Sequence, residues 1–296
     1  TLVLITGCYA VWLATGLLSL AAATTVQADT FVFTAIPDED ETKLVERFRG
    51  VADYLQEQLD VEVRYIPVKS YAAAVSAFRN NQVQLAWFGG LSGVQARRLV
   101  PGSEAIAQGV EDEAFETYFI ANTSTGIQPA DSLDELEDEL RGKTFTFGSK
   151  GSTSGRLMPE FYIRDVFNEA PDSLFSRVGF SGNHSRTIEL VESGAYEVGA
   201  VNYQVWDTML AEDKIDTDQV SVIWKTPAYP DYQWTIRGDV DASWGEGFSE
   251  KVKTALLEMD APELLEAFPR SKFISASNED YLPIEETAKA IGLLDE

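Results

Sequence analysis

A regular alternation of strand-like and helix-like segments between residues 30 and 88 restricts the fold more than any other feature of the sequence. Residues 30–36 are rich in β-branched and aromatic side chains, which is typical of a strand. Residues 43–59 place apolar side chains at the spacing of an amphipathic helix. Strands are also predicted over residues 61–66 and 83–88, with a helix over residues 71–80 between them. This β-α-β-α-β order predicts a parallel sheet covered by helices.

A second α/β unit is predicted to begin at residue 143, after strands over residues 104–109 and 116–121 and a short exposed helix over residues 131–140. Two extended crossings, residues 118–124 and 229–236, are expected to join the two units as a hinge. We therefore predict a first lobe from residues 29–121 and 233–296 and a second lobe from residues 122–232. The remaining elements expected are strands over residues 143–147, 177–180, 198–201 and 220–224, helices over residues 154–168, 185–193 and 204–212, and a mostly helical tail over residues 249–292.

The first 28 residues contain no charged side chain and end in the small-x-small pattern Val26-Gln27-Ala28. This pattern predicts a signal peptide over residues 1–28, cleaved after Ala28, and therefore a protein exported to the periplasm. A retained membrane anchor is the alternative interpretation. Cys8 lies in this segment and is the only cysteine, so the mature chain is expected to contain no disulfide.

The charge of the chain excludes some classes of partner. With 48 acidic and 23 basic residues the formal net charge is −25, which makes nucleic acid a poor partner. An anionic ligand would have to be captured by local hydrogen-bond donors. We expect no cofactor and no metal site, because His184 is the only histidine and no carboxylates fall at metal-ligand spacing.

The most informative motif is the glycine- and serine-rich loop between a predicted strand and a predicted helix within residues 144–162. Its hydroxyl groups, on Ser152, Thr153 and Ser154, would stand at a helix amino terminus, where free amides and the helix dipole attract an anion. The alternative is an ordinary helix cap. His184 also follows a strand and begins a helix, and its imidazole would donate to the same anion unless it is only a surface or capping residue. The loop lacks the Gly-Lys-Ser/Thr ending of a nucleotide-binding loop.

Other candidate residues lie at strand ends and in the second crossing. Tyr71, Trp87 and Phe88 are at the carboxyl ends of predicted parallel strands, where open α/β sheets bind ligands, although both Trp87 and Phe88 are also typical core residues. Tyr229 and Asp231 would present a phenol and a carboxylate to the cleft or would only stiffen the hinge.

Several of these motifs, taken together and in order, resemble the phosphonate, phosphite and phosphate-ester binding family of ABC transporters. The motifs are Pro-Val-Lys-Ser-Tyr-Ala at 67–72, Leu-Ala-Trp-Phe-Gly at 85–89, Ser-Thr-Ser-Gly at 152–155, the single His184, and Ile-Trp at 223–224 leading to Pro227. The resemblance implies a class II periplasmic binding protein fold, an α/β architecture with two lobes, a two-strand hinge and a ligand cleft. It also implies that Ser152, Thr153, Ser154 and His184 hold the oxyanion and that Tyr71 donates from the opposite lobe. We add Asn202 to the predicted ligand-binding residues.

The resemblance predicts the extracytoplasmic solute-binding component of an ABC importer, which closes around a small tetrahedral oxyanion and delivers it to a membrane permease; it does not predict an enzyme. The sequence departs from some members by Phe88 in place of tyrosine and by the lack of an acidic residue in 196–202 that faces a ligand, which disfavours aminoalkyl phosphonates. Residues 71–103 are also similar to a subgroup linked to selenate. The alternatives are therefore a selenate-binding protein and, from other classes, a phosphate-ester hydrolase or a membrane-tethered ligand sensor.

Overall fold

A computed structural model describes residues 30–295, so the predicted signal peptide and Cys8 lie outside the described residues. The strands are β1 (Phe31–Ala35), β2 (Val63–Tyr65), β3 (Leu85–Phe88), β4 (Glu104–Gly109), β5 (Thr117–Asn122), β6 (Thr144–Phe147), β7 (Arg177–Phe180), β8 (Val198–Asn202), β9 (Val220–Lys225), β10 (Gln233–Ile236) and β11 (Phe273–Ser275). The α-helices are α1 (Glu41–Leu59), α2 (Tyr71–Arg79), α3 (Gly90–Leu99), α4 (Glu137–Leu140), α5 (Met158–Phe167), α6 (Pro171–Leu174), α7 (His184–Glu192), α8 (Tyr203–Ala211), α9 (Val240–Trp244), α10 (Phe248–Leu257), α11 (Pro262–Leu265) and α12 (Leu282–Ala290).

Six strands form the first sheet, in the order β11-β4-β10-β3-β1-β2. Strand β1 is parallel to both β2 and β3, which confirms the parallel arrangement predicted from the β-α-β-α-β order. Strand β10 lies between β3 and β4 and is antiparallel to both. The sheet is therefore completed by a strand that returns from much later in the chain. We call this sheet and the helices packed on it the first lobe.

Five strands form the second sheet, in the order β7-β6-β8-β5-β9. Strand β6 is parallel to β7 and β8, whereas β5 is antiparallel to β8 and β9. We call this sheet and its helices the second lobe. The predicted first lobe included residues 116–121, but β5 pairs in the second sheet, so the chain crosses between the sheets before β5.

The two crossings run beside each other at an isolated antiparallel bridge between Phe115 and Tyr229. Both amides are used there: Phe115 N donates to Tyr229 O at 2.8 Å, and Tyr229 N donates to Phe115 O at 3.0 Å. Next to the bridge, the buried side chains of Asp112 and Arg270 form a bidentate ion pair, with N–O distances of 2.6 and 2.7 Å. This paired backbone is the connection about which the lobes would move.

Local sequence explains most element boundaries. The carboxylate of Asp40 caps α1 by accepting from Thr42 N at 2.9 Å, and the apolar face of α1 is buried as its spacing predicts. Helix α3 was not predicted, and the tail contains the short strand β11 as well as helices. The segment predicted as an exposed helix is a 3₁₀ turn, Leu133–Leu136, followed by α4, and its leucines are buried. Within residues 30–295, no helix is both long and apolar enough to cross a membrane.

Candidate functional site

The loop after β6 forms one wide turn of π-helix, Thr153–Leu157, that leads directly into α5. Leu157 N donates to Ser152 O at 3.0 Å, and Gly155 N donates to the Ser152 hydroxyl at 2.9 Å. Turns of this kind are frequent at functional sites, and the first turn of a helix has amides without partners inside the helix. The predicted helix amino terminus is therefore present, and Ser152 is its cap.

The three hydroxyl groups of this turn are buried and have different partners. Ser152 caps the turn, and the Thr153 hydroxyl accepts a hydrogen bond from Leu91 N, in the first turn of α3, at 3.0 Å. Ser154 Oγ lies 3.5 Å from His184 Nε2, a long contact that leaves the hydroxyl available to a better acceptor. The turn thus joins the second lobe to the first lobe through Thr153 and presents Ser154 beside the imidazole.

His184 is the first residue of α7 and is 1% exposed. Burial lowers its pKa to about 3, so the imidazole is neutral at physiological pH. Asn202 N donates to Nδ1 at 3.2 Å, so Nδ1 carries the lone pair and Nε2 carries the proton. A β-carbon at Gly155 would lie 3.0 Å from His184 Cε1, so glycine is needed for this close approach. His184 therefore presents a fixed N–H donor to the site.

Tyr71 is the first residue of α2 and approaches the same turn from the first lobe. Its hydroxyl group is buried and has no hydrogen-bond partner. Burial raises its pKa well above the usual value, Asp38 and Asp231 raise it further, and the side chains of Ser152 and Tyr232 lower it. A β-carbon at Gly151 would lie 3.1 Å from Tyr71 Cβ, so the loop and this tyrosine pack closely at a position where glycine avoids a tight contact. The side chains of Ser152 and Tyr232 are close to this hydroxyl but do not meet hydrogen-bond geometry, so Tyr71 is a neutral donor available to a ligand.

Asp231 contributes a buried carboxyl group in the second crossing. Its Oδ1 accepts from Gly90 N at 2.8 Å, while Oδ2 is buried without a partner. Burial raises the pKa of Asp231 to about 7, although the Gly90 amide and the Thr153 hydroxyl lower it. A carboxyl group with such a pKa is able to bind or release a proton near neutral pH.

Tyr229 supports the turn from behind. The Thr117 hydroxyl donates to Ser154 O at 2.9 Å, so the 2.6 Å contact between Thr117 Oγ1 and the Tyr229 hydroxyl requires Tyr229 to be the donor. The hydroxyl groups of Thr117 and Tyr229 therefore both use their protons in structural hydrogen bonds. Tyr229 therefore positions Ser154.

Trp87 and Phe88 are neighbours in β3 whose side chains point to opposite faces of the sheet. Trp87 stacks on Tyr232, with ring centroids 5.5 Å apart, and lines a small cavity between the lobes. Phe88 packs edge-on against Phe78 of α2, in the core of the first lobe. The structure brings Trp87 to the interface between the lobes, beside Tyr232, and does not bring Phe88 there.

Asn202 lies at the end of β8 and caps α8, since its Oδ1 accepts from Gln204 N at 2.8 Å. Its Nδ2 donates to the hydroxyl of Tyr232 at 3.0 Å, and that hydroxyl donates to Asp38 Oδ2 at 2.9 Å. Tyr232 and Asp38 were not predicted as site residues. The available signals were weak: Tyr232 follows Asp231 in the second crossing, and Asp38 follows the carboxyl end of β1.

The fold and the site together define a class of protein. Two α/β lobes are joined at a paired crossing, and hydrogen-bond donors from both lobes converge between them; this is the architecture of a class II periplasmic binding protein. Within residues 30–295 no group of histidine and carboxylate side chains is arranged to hold a metal ion.

Comparison with known proteins identifies the family. Residues 33–281 match the family model for the periplasmic phosphonate substrate-binding protein of ABC transporters, and the chain belongs to this family. It is 41% identical, over 87% of its length and 88% of the relative, to the probable ABC transporter phosphite binding protein PhnD1 of Prochlorococcus marinus strain MIT 9301. It is 26% identical to the phosphonates-binding periplasmic protein of Escherichia coli K12, over 86% of this chain and 75% of that protein.

A solved structure shows the same architecture. PhnD1 of Prochlorococcus marinus in complex with methylphosphonate is 39% identical to this chain, with a TM-score of 0.86 over 90% of this chain and 99% of that one. The predicted two-lobed α/β fold is confirmed, and so is the prediction of a substrate-binding protein of an ABC importer. Both relatives are named as binding proteins, and the one from Prochlorococcus marinus is named as part of an ABC transporter.

Proposed function

We propose that this chain is the extracytoplasmic solute-binding component of an ABC importer that captures a small phosphorus oxyanion, such as methylphosphonate or phosphite, and delivers it to a membrane permease. One observation carries the proposal: unused donors from the two lobes face the same buried region. The second lobe provides Ser154 and the Nε2–H group of His184, and the first lobe provides the unpartnered hydroxyl of Tyr71. Anions bind to such convergent donors without a compensating cation.

A small cavity lies between the lobes beside Asn202 and Tyr232, and its lining does not include Ser154, His184 or Tyr71. The cavity lined by Asp38, Trp87, Asn202 and Tyr232 has a volume of only about 20 Å³. That volume accommodates a group of about the size of one water molecule. The closed arrangement therefore leaves little free space in this part of the interface between the lobes, which favours a small ligand.

The proton on His184 supports binding rather than hydrolysis. The pair formed by Ser154 and His184 superficially resembles a nucleophile with its base. A general base needs a free lone pair on the nitrogen that faces the hydroxyl, but here the lone pair is on Nδ1 and accepts from Asn202 N. His184 Nε2 can only donate. A chromogenic phosphate ester is therefore expected to remain intact, and sustained turnover would favour the hydrolase instead.

A thermal-shift screen tests the ligand class. Methylphosphonate and phosphite are expected to raise the melting temperature, because a ligand that binds only the folded state stabilises it. Aminoethylphosphonate, sulfate and selenate serve as comparison compounds and are expected to give smaller shifts. A failure of every phosphorus oxyanion, or a larger shift with selenate, would overturn the proposed ligand class.

The unpartnered oxygen of Asp231 predicts that ligand binding is coupled to a proton. An ionised Asp231 repels an anion, unless a proton lies between them in a hydrogen bond from a P–OH group or from the carboxyl group itself. Because the pKa of Asp231 is about 7, binding must take up a proton at a pH where both Asp231 and the P–OH group of the ligand are ionised. The affinity for methylphosphonate is therefore expected to fall as pH rises above about 7, approaching about tenfold per pH unit.

Calorimetric titration in the range from about pH 6 to about pH 9 measures this dependence. The matched variant is Asp231→Asn, whose amide is able to donate to a fully ionised ligand and which is expected to bind with little dependence on pH. Equal pH profiles for the two proteins would show that Asp231 does not share the proton. Above about pH 7, where Asp231 is ionised, the same argument disfavours selenate and sulfate, which carry no proton.

The periplasm as the location and a permease as the partner are parts of the same proposal, supported by the family to which the chain belongs. Sequencing of the mature protein tests the location. Asp29 as the first residue would support export and cleavage, and a retained hydrophobic segment would favour the membrane-tethered sensor.

A further inference from the structure

Asp38 takes part in contacts between the two lobes that are separate from the hydrogen-bond donors proposed to hold the ligand. It lies in the first lobe, in the turn that follows β1. Its backbone oxygen accepts a hydrogen bond of 2.9 Å from the backbone N–H of His184, the first residue of α7 in the second lobe. One first-turn amide of α7 is therefore satisfied across the cleft.

The side chain of Asp38 supports a second connection between the lobes, because it bonds to Tyr232, a residue of the first-lobe core that in turn bonds to Asn202 of the second lobe. Asn202 Oδ1 accepts from the amides of Gln204 and Val205, so the Nδ2 group of Asn202 is the one that donates to the Tyr232 hydroxyl at 3.0 Å. The Tyr232 hydroxyl in turn donates to Asp38 Oδ2 at 2.9 Å. The Asn202 amide group can only donate, so Tyr232 accepts from it; Tyr232 then donates to Asp38 whenever that carboxyl group is ionised, and burial raises its pKa to about 7.

Both connections lead to the imidazole that faces the ligand. The first is to the backbone of His184, and the second is to Asn202, whose own N–H group donates to His184 Nδ1. The surroundings of the Asp38 carboxylate are charged and aromatic: Glu39, Arg47, Arg270, Tyr65, Tyr71 and Tyr232. A carboxylate in this position has no attraction for an anionic ligand, but it links the first lobe to the residues that hold the ligand.

We infer that Asp38 is a positioning residue that holds the second lobe closed over the ligand, through its contacts with His184 and Tyr232, and thereby sets the rate of ligand release. The inference rests on the proposed function. Closure contacts that form after ligand has entered act on release more than on association. Asp38 thus determines how long the loaded state lasts.

Stopped-flow tryptophan fluorescence with methylphosphonate measures the two rates. Asp38→Ala is expected to release methylphosphonate about tenfold faster while the association rate stays within about twofold, because the hydrogen bond that holds Tyr232 in place to bond Asn202 of the second lobe is lost. Tyr232→Phe is expected to give a similar increase. The double variant is expected to release ligand no faster than the more affected single variant, since both substitutions break the same chain.

Two matched variants separate positioning from folding. Asp38→Asn keeps an oxygen that accepts from the Tyr232 hydroxyl, so its release rate is expected to return to within about threefold of the unsubstituted protein. Thr34→Val removes a buried hydrogen bond of 2.7 Å from Thr34 Oγ1 to Ile66 O that lies entirely within the first lobe. It is expected to lower the melting temperature and to leave the release rate unchanged.

Small-angle scattering without ligand gives a second measurement, which does not depend on the proposed ligand. Asp38→Ala is expected to have a larger radius of gyration than the unsubstituted protein, because the lobes separate more often. Failure of the unsubstituted protein to bind methylphosphonate would count against the proposed function, and the scattering comparison would then decide the inference alone. Identical scattering and identical release rates, or faster release in Thr34→Val to the same degree, would overturn it.

Discussion

Combined replacement Ser152→Ala, Thr153→Ala and Ser154→Ala is expected to weaken methylphosphonate binding by at least about 1,000-fold. Hydrogen bonds to a charged group contribute about 1.5–3 kcal/mol each, so the loss of two corresponds to about 4 kcal/mol. The backbone amides of the turn remain, so weak residual binding is expected. The measurement is a calorimetric titration of the triple variant and the unsubstituted protein at the same pH and ionic strength.

The structure indicates which control this experiment needs. Ser152 caps the turn through Gly155 N, so its loss is expected to reduce the stability of the fold by about 1 kcal/mol in addition to the loss of binding. Ser277→Ala removes a serine that bonds to Asp280 at an exposed 3₁₀ turn in the first lobe, without touching the site. It is expected to bind normally. Retention of affinity within about tenfold in the triple variant would remove these hydroxyl groups from the site.

Tyr71→Phe is expected to change affinity and stability in opposite directions. The Tyr71 hydroxyl is buried without a partner, and an unsatisfied buried polar group destabilises a fold. Its removal is therefore expected to leave the melting temperature of the ligand-free protein unchanged or higher. The same hydroxyl is a donor available to the oxyanion, so its removal is expected to weaken binding by about 10- to 100-fold. Thermal unfolding and calorimetry of the same preparation measure the two effects.

Tyr281→Phe is the matched control for this prediction. The Tyr281 hydroxyl is also buried, but it donates to Gln108 Oε1 at 2.9 Å in the first lobe. Its removal leaves a buried acceptor without its donor, so the melting temperature is expected to fall while the affinity is retained. If Tyr71→Phe lowered stability and preserved affinity in the same manner, Tyr71 would be a structural residue like Tyr281.

The parts of this molecule that the sequence predicts are those encoded by neighbouring residues. The alternation within residues 30–88 depends on periodic burial along each segment, and the parallel pairing of β1 with β2 and β3 follows from it. The loop at 148–155 was recognisable because glycines and hydroxyl groups between a strand and a helix have a local conformational and hydrogen-bonding role. The predicted turn and its cap at Ser152 are both present.

Other features depend on contacts between distant parts of the chain, which periodicity does not record. Strand β10 is inserted between β3 and β4, although well over one hundred residues separate β10 from either strand. Helix α3 begins at Gly90 directly after a glycine, a composition that favours a turn, and its first amides are satisfied by Asp231 and Thr153 from elsewhere in the fold. No local pattern predicts a helix that starts in this way.

In the candidate site, too, some features follow from neighbouring residues and others depend on contacts between distant residues. Trp87 and Phe88 are adjacent in sequence and were predicted together, but the pleat of a strand sends their side chains to opposite faces, so only one of them reaches the cleft. Tyr232 and Asp38 are more than 190 residues apart and act through a single hydrogen bond. Their importance follows from the way in which the lobes meet, which only the structure describes.

A crystal structure of the protein with methylphosphonate tests the central claim most directly. The account predicts that the phosphonate oxygens lie within hydrogen-bond distance, about 2.7–3.2 Å, of Ser154 Oγ, His184 Nε2 and the Tyr71 hydroxyl, with one oxygen facing Asp231 Oδ2. A ligand bound away from these groups, with Tyr71 and His184 making no contact to it, would contradict the account.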